Sequence, residues 1–368
     1  MEKYIIMPDS FKGSMSSVEV CEIMKRVVQI KRPDSKIVSI PIADGGEGTV
    51  DCFIHVFGGE KVDKLVTGPF GEKVQGFYGI IGNVAVIETA AAAGFSAMKG
   101  VGNPAIATTF GVGELIKDAI GRGSKKIILG LGGSCTNDGG VGMANALGVK
   151  FYDSKENSFL PTGNTLSIID KIDITGINDM LADISIEAMC DINNPLYGPR
   201  GAAHVFAPQK GADPDMVEKL DYNLKCLAKC IDQNLGINVS TLPGGGAAGG
   251  MGAGAFAFLN AELRQGIDVI LDLLNFEELI KDCDAIFTGE GKLDKQSLEG
   301  KVVIGIARRA KLQQVPVIAV VGCTSGDVTE VYDEGVTAIY TTAPEDRKPE
   351  EIVKYCKQDL ENTMKMIL

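Results

Sequence analysis

Apolar positions along the chain fall into two alternating rhythms. Short apolar runs from Lys3 to Met7 and from Lys36 to Pro41 read as strands, while Ser17 to Ile30 repeats apolar residues at helical spacing (Val18, Cys21, Ile23, Met24, Val27). Ser16 or Ser17, standing ahead of Glu19, supplies an N-cap for that helix. A second helical pattern runs from Gly48 to Phe57. Lys73 to Ile80 and Val84 to Thr89, separated by Gly82-Asn83, have the pattern of a β-hairpin. Farther on, a strand from Lys125 to Leu131 leads to a helix from Val141 to Leu147. Near the C-terminus, strands Ala285–Thr288, Val315–Val321 and Ala338–Tyr340 alternate with helices Ser297–Lys311 and Lys348–Met366.

Short apolar strands separated by helices predict parallel pairing in a doubly wound sheet. The hairpin near residue 80 interrupts the alternation, which resumes only near Asp282. The expected fold is therefore α/β with two domains. A doubly wound, Rossmann-like parallel-sheet domain is formed by 1–75 together with 274–368, and a second α/β domain with glycine-rich loops is inserted as 76–273. The active site is expected in the cleft between them.

Composition narrows the function classes. The 368 residues suffice for two domains with a buried core, and 45% hydrophobic with 23% charged residues is ordinary for a globular chain. A net charge of −12, with no long basic tract, argues against nucleic acid as a partner. No apolar run approaches about 18 residues, so no membrane span is expected. The start, MEKYIIMPDSF, enters a strand without a signal-peptide h-region. Nine scattered cysteines without a CxxC pair fit a reducing, cytoplasmic setting. Cys226 and Cys230, at i, i+4 spacing, fit helix packing better than a metal. The two histidines, His55 and His204, give a zinc site or a Ser–His–Asp triad little material. His55 reads as part of an amphipathic helix, whereas His204 stands near other polar candidates. Proton transfer falls to carboxylates or lysines. Oligomeric state is not legible, and a homodimer is left open.

The densest chemistry lies in ILGLGGSCTNDGGVG, Ile128 to Gly142. An apolar strand runs into glycines whose N–H groups can turn toward an anion, ahead of a helix N-terminus. Gly132, Gly133, Ser134, Thr136 and Asn137 offer donors there, and Asp138 offers a carboxylate to a metal. Four further segments place polar groups after strands: Asp9, Ser10 and Lys12; Asp44 and Glu47; Asp191, Asn193, Asn194, Arg200, Gln209 and Lys210; and Gly289, Glu290, Lys292, Asp294 and Lys301. In α/β sheets the carboxyl edge is where ligands bind. Carboxylates with amide and hydroxyl neighbours suit Mg²⁺, lysines and an arginine suit a phosphoryl or carboxylate group, and an aspartate can serve as base. Together these are the parts of phosphoryl transfer, although neither a GxxxxGK[ST] P-loop nor a protein-kinase signature occurs. A competing pattern sits at Pro243–Ala257, where Gly244, Gly246 and Gly249 satisfy GxGxxG before a helix from Phe256 to Leu263, with Asp268 at the distance of a ribose-binding acid. The strand that motif needs, Val239 to Leu242, is weak and ends at Pro243.

Taken in order, PDSFKGSMSS, PIADGGEGT, GLGGSCTNDGGVGMANALG, CDINNPLYGPRGAAHVFAPQKGA, PGGGAAGGMGAG and TGEGKLDKQSLEGK resemble the signatures of the bacterial type I glycerate kinases, across nearly the whole chain. The resemblance implies phosphorylation of D-glycerate by ATP with Mg²⁺, giving 2-phosphoglycerate, in a two-domain α/β fold. A 3-phosphoglycerate product, a dehydrogenase using the Pro243–Ala257 glycines and a non-catalytic hydroxy-acid sensor remain as alternatives. Met15 and Cys135 depart from the residues common in that family; Cys135 lies close to the expected phosphate site, so its modification is expected to affect activity, while its size leaves room for the nucleotide. In the roles expected on this reading, Asp191 or Asp9 acts as base, and Lys12, Arg200 and Lys210 hold the substrate carboxylate or the migrating phosphoryl group. Ser10, Asp44, Asn193 and Asn194 contact substrate. Gly132, Gly133, Ser134, Thr136, Asn137, Gly289 and Glu290 hold the nucleotide, and Asp138, Glu290 and Asp294 hold the metal.

Overall fold

The computed structural model describes residues 1–11, 13–43, 45–98, 102–295, 297–344, 347 and 349–368. The chain is mixed α/β and divides into two compact units: Met1–Asp44 with Gln265–Leu368, and Gly45–Arg264.

In the first unit five strands pair in parallel, in the order Val336–Thr341, Val317–Val321, Ala285–Thr288, Lys3–Ile6, Lys36–Ser39. Strand residues alternate between faces. Tyr4, Ile6, Phe287 and Val320 pack with Val20, Met24 and Val27 of helix Ser17–Lys31 and with Leu360 and Met364 of helix Pro349–Ile367. Helix Val302–Lys311 packs on strands Ala285–Thr288 and Val317–Val321. From the central pair the chain leaves in opposite directions: Lys3–Ile6 continues to Lys36–Ser39 on one side, and Ala285–Thr288 to Val317–Val321 and Val336–Thr341 on the other. The gap between the carboxyl ends of Lys3–Ile6 and Ala285–Thr288 is thus a topological switch point.

The second unit has a six-stranded sheet in the order Glu262–Arg264, Ser185–Met189, Lys126–Gly130, Val84–Glu88, Lys73–Ile81, Glu60–Thr67. The first four strands are parallel, and the last two add as antiparallel hairpins. The expected turn at Gly82-Asn83 is present, with Gly82 at φ +60°, which suits the first central position of a II′ turn.

Where pattern and structure differ, local causes are visible. The units divide after residue 44 and after 264, earlier than the expected boundaries at 75 and 273. Glu60–Thr67 pairs along its whole length with Lys73–Ile81, and helix Thr49–Phe57 packs on that hairpin, so this stretch goes with the second sheet. Helix Gly266–Leu273 packs against Val302–Lys311 and goes with the first. The expected helix Ser297–Lys311 is a 3₁₀ turn, Ser297–Glu299, and then helix Val302–Lys311, divided by Gly300 at φ +106°. Phe256 to Leu263 is not one helix. The segment Ala247–Leu259 turns through left-handed backbone at Ala248, Gly249 and Gly250 before running on as a helix that ends at Asn260, φ 51°, and Glu262–Arg264 is an edge strand. The C-terminal helix is Pro349–Ile367, and the Lys348 expected to begin it lies outside the described residues.

Ser16 caps helix Ser17–Lys31 in a reciprocal box with Glu19. Ser16→Ala removes that acceptor and is expected to lower stability by about 1 kcal/mol, read as a lower urea midpoint at unchanged slope.

Candidate functional site

At the switch point of the first unit, the turns after two adjacent strands are stitched together. Met7 N donates to Phe287 O at 2.8 Å, Asp9 N to Gly289 O at 2.8 Å, and Thr288 Oγ1 to Met7 O at 2.8 Å. A Cβ on Gly289 would run into Val320 O, so the backbone passes there only as glycine. Glu290 follows, buried, with its backbone oxygen accepting from Gly322 N at 3.1 Å. Its carboxyl is bonded by Ser297, but Oε1 is buried with no hydrogen-bond partner. Burial pushes this carboxyl up to about 7. The Ser297 bond and Lys301 oppose the rise, and the charges of Asp9 and Asp294 reinforce it. Asp294 pairs with Lys292 at 3.2 Å. The structure therefore gathers Asp9, Ser10, Gly289, Glu290 and Asp294 on one sheet edge. Lys12 and Asp44 lie outside the described residues.

The glycine loop of the second unit starts at the carboxyl end of Lys126–Gly130. Several of its N–H groups bond within the protein: Gly132 N to Gly45 O at 3.1 Å, Cys135 N to Ala93 O at 2.9 Å and Gly139 N to Gly249 O at 3.0 Å. The helix behind it, Val141–Leu147, is not an open anion site. Gly142 N bonds Asp138 Oδ2 at 3.3 Å and Met143 N bonds Thr109 Oγ1 at 2.9 Å. Asp138 is fully buried and also accepts from Thr109 N (2.8 Å), Thr109 Oγ1 (2.9 Å) and Gly140 N (3.1 Å). Both its oxygens are occupied by the fold, which corrects the expectation of a metal ligand there. Thr109, which sequence reasoning missed, is the other half of this cap.

The side chains of the same loop are another matter. Thr136 Oγ1 and both polar atoms of the Asn137 amide are buried without a partner. Lys210, 2% exposed, donates to Ser134 Oγ at 3.0 Å and to Thr136 O at 2.7 Å, both neutral acceptors. Burial pushes its amine down to about 8, with Cys135 and Asp138 offsetting part of the fall. A buried cation on neutral acceptors, next to unpartnered polar groups, is a place that an anion would stabilise.

The loop after Ser185–Met189 carries Asp191, half-buried, and Asn193 and Arg200, both exposed. Asn194 holds the loop's shape: its Nδ2 donates to Arg200 O at 2.8 Å and its O accepts from Gly246 N at 2.9 Å. Asp221, another residue the sequence did not mark, takes Gly198 N at 2.7 Å. His204 stands 3.9 Å from Asp221 and 4.0 Å from Glu218. Glu88, 2% exposed at the end of an apolar strand, was also overlooked. Its Oε1 accepts from Val50 N at 2.6 Å, capping helix Thr49–Phe57.

The GxGxxG match is not a dinucleotide motif. No strand forms at Val239 to Leu242. Cβ atoms on Gly246, Gly249 and Gly254 would meet Pro195 O, Thr136 O and Gly139 O, so these glycines serve close backbone packing onto neighbouring loops. Cys230 is buried on helix Pro214–Leu235, and the described residues hold no group of three or more His, Cys, Asp or Glu that could take a metal ion. No described helix is long and apolar enough to cross a membrane.

Comparisons with known proteins agree on one family. Residues 4–368 match the model of the glycerate kinase family. Glycerate kinase of Bacillus cereus is 45% identical over 368 residues, covering 99% of this chain and 97% of its own. Glycerate 2-kinase of Escherichia coli is 44% identical over 342 residues, covering 92% and 90%. A crystal structure from Salmonella typhimurium LT2, assigned as glycerate kinase 2, superposes with a TM-score of 0.87 at 40% identity, covering 100% of this chain and 97% of that one.

The Cys135 thiol is fully buried and burial pushes it up to about 11, so it is a poor nucleophile. With a thiol reagent under native conditions, exposed Cys323 is expected to label and Cys135 to stay unmodified until unfolding, as read by peptide mass spectrometry.

Proposed function

The chain belongs to the glycerate kinase family and is a kinase, and from that premise we propose that it transfers the γ-phosphoryl group of ATP to the 2-hydroxyl of D-glycerate. The observation that carries this reading is Lys210, a buried amine with neutral acceptors only, set against the glycine loop. Such an amine matches the substrate carboxylate or the migrating phosphoryl group, and a charge-assisted bond to it is strong because water is excluded. Thr136 and Asn137 supply further donors in the same loop, and Ser134 orients the lysine.

Phosphoryl transfer asks for positioning and charge more than for covalent chemistry by the protein. The residue set needs one cation for the anion and one carboxylate for the hydroxyl proton, with Asp9 and Asp191 the expected candidates for the latter. The expected magnesium set of Asp138, Glu290 and Asp294 does not fit. Asp138 is taken by four donors, and no group of three such ligands forms among the described residues. Magnesium is instead proposed to arrive bound to the nucleotide phosphates, an ion that keeps its waters and needs few protein ligands. Transfer to the 2-hydroxyl follows the name of the Escherichia coli relative, with the 3-phosphoglycerate product as the second reading.

A coupled ADP assay with D-glycerate and Mg·ATP, followed by ³¹P NMR of the product, tests the proposal. ADP release that requires glycerate and a 2-phosphoglycerate signal are expected, and glycerate binding without ADP release would overturn it. Lys210→Met is expected to cut kcat/KM by about 10²-fold, the usual consequence of truncating one partner of a buried charge pair. Since the free amine loses its proton as pH rises through about 8, anion affinity should weaken above that pH in the wild type. It should be flat there in Lys210→Met, as measured by titration calorimetry.

A further inference from the structure

Glu290 has no task in the reading above, yet its surroundings are specific. It lies at the switch point of the first unit, on the turn after Ala285–Thr288 and beside Asp9 on the turn after Lys3–Ile6. Ligands of open α/β sheets bind at that place. The turn is rigid: Gly289 is pressed against Val320 O, Glu290 O accepts from Gly322 N at 3.1 Å, and Cys323 N bonds Gly291 O at 3.2 Å. One carboxyl oxygen is bonded by Ser297, while Oε1 is buried with no donor at all.

We propose that Glu290 is the catalytic base, its Oε1 receiving the proton of the acceptor hydroxyl. The assignment rests on the kinase reading and displaces Asp9 and Asp191 from that role. A substrate O–H is the donor that Oε1 lacks. In the step, the O–H bond breaks and its proton passes to Oε1. The hydroxyl oxygen forms a bond to the γ-phosphorus, and the bond from that phosphorus to the bridging oxygen of ADP breaks, with ADP leaving as the anion. The groups that face Glu290 among the described residues are Asp9, Asp294, Lys301 and Ser297, and Lys292 is paired with Asp294. Burial and the two aspartates hold the carboxyl near 7, where it is charged often enough to accept a proton and basic enough to keep it. Asp9, in the same cluster, keeps Glu290 from ionising too readily and acts as a positioning residue.

The test is a pH–rate series with Mg·ATP and D-glycerate. Wild type comes first: absence of glycerate-dependent ADP would sink the kinase reading itself and not this assignment. Given activity, kcat is expected to fall as pH drops through a limb near 7. Glu290→Gln, which keeps the Ser297 bond and the side-chain volume, should lose about 10²-fold or more in kcat with both KM values within about threefold, and the acid limb should vanish from the residual rate. Asp9→Asn and Asp191→Asn should each retain the limb, that of Asp9→Asn displaced to lower pH. Glu290→Asp, the second variant should Gln not fold, should retain a limb with reduced kcat. Turnover of Glu290→Gln within about threefold of wild type, an unchanged limb in Glu290→Gln, or wild-type kcat in Glu290→Asp would overturn the proposal.

Discussion

Backbone lying directly on backbone is the constraint from which the glycine-loop site follows. Gly249 touches Thr136 O, Gly254 touches Gly139 O and Gly252 touches Gly244 O, at approaches that no Cβ would allow. Protein interiors are packed as densely as crystals, so such contacts fix neighbouring segments with little freedom to slide. Lys210 is held in the same manner, since a Cβ on Gly102 would strike its carbonyl and one on Gly211 would strike Gly102 O. Two loops that cannot shift hold an amine against Ser134 and Thr136. Without that rigidity a lysine would swing out to water, where its charge is better solvated.

The two clusters are opposite versions of one condition. In the second unit a cation is buried on neutral acceptors. In the first, a carboxyl oxygen is buried without a donor, beside other carboxylates. Either would relax if its loop could move, because an unmatched buried polar group costs about 1–3 kcal/mol. Each persists because hydrogen bonds away from the unmatched atom define the loop. Strain of this kind collects at functional sites, where the ligand supplies the missing partner.

The sequence carried the architecture well where periodicity was simple. Helix Ser17–Lys31 with its Ser16 cap, the hairpin across Gly82 and the parallel strands of both sheets follow from apolar spacing and turn chemistry. The ends of elements were less legible. Glu60–Thr67 alternates charged and apolar residues as an edge strand does, with burial only at Val62 and Val66, so its membership in the second sheet depends on a partner that spacing does not reveal. The break at Gly300 and the stop at Asn260 are set by single left-handed residues inside otherwise helical patterns. At the sites, residue type was legible and role was not. Asp138 and Glu290 are both carboxylates in glycine-rich segments, and residue type alone suits both to a metal. What separates them is whether surrounding donors fill the oxygens: four do for Asp138, none reaches Oε1 of Glu290. That count depends on Thr109, 29 residues away in the chain, and no local motif encodes it.

The same distinction explains how one glycine-rich chain can resemble a dinucleotide-binding protein without being built as one. The fingerprint requires a strand before the glycines and an open helix N-terminus after them. Here Gly244 to Gly254 follow an irregular segment, and the places of the side chains missing at Gly246, Gly249, Gly252 and Gly254 are filled by neighbouring carbonyls. The helix that does follow a strand and a glycine loop, Val141–Leu147, has its first N–H groups closed by Asp138 and Thr109. On the proposed function, anion recognition passes from backbone N–H groups to the Lys210 side chain. A backbone N–H carries no titrating charge, whereas an amine that burial lowers to about 8 gives up its charge as pH rises, so on that proposal charge recognition would be tied to proton concentration.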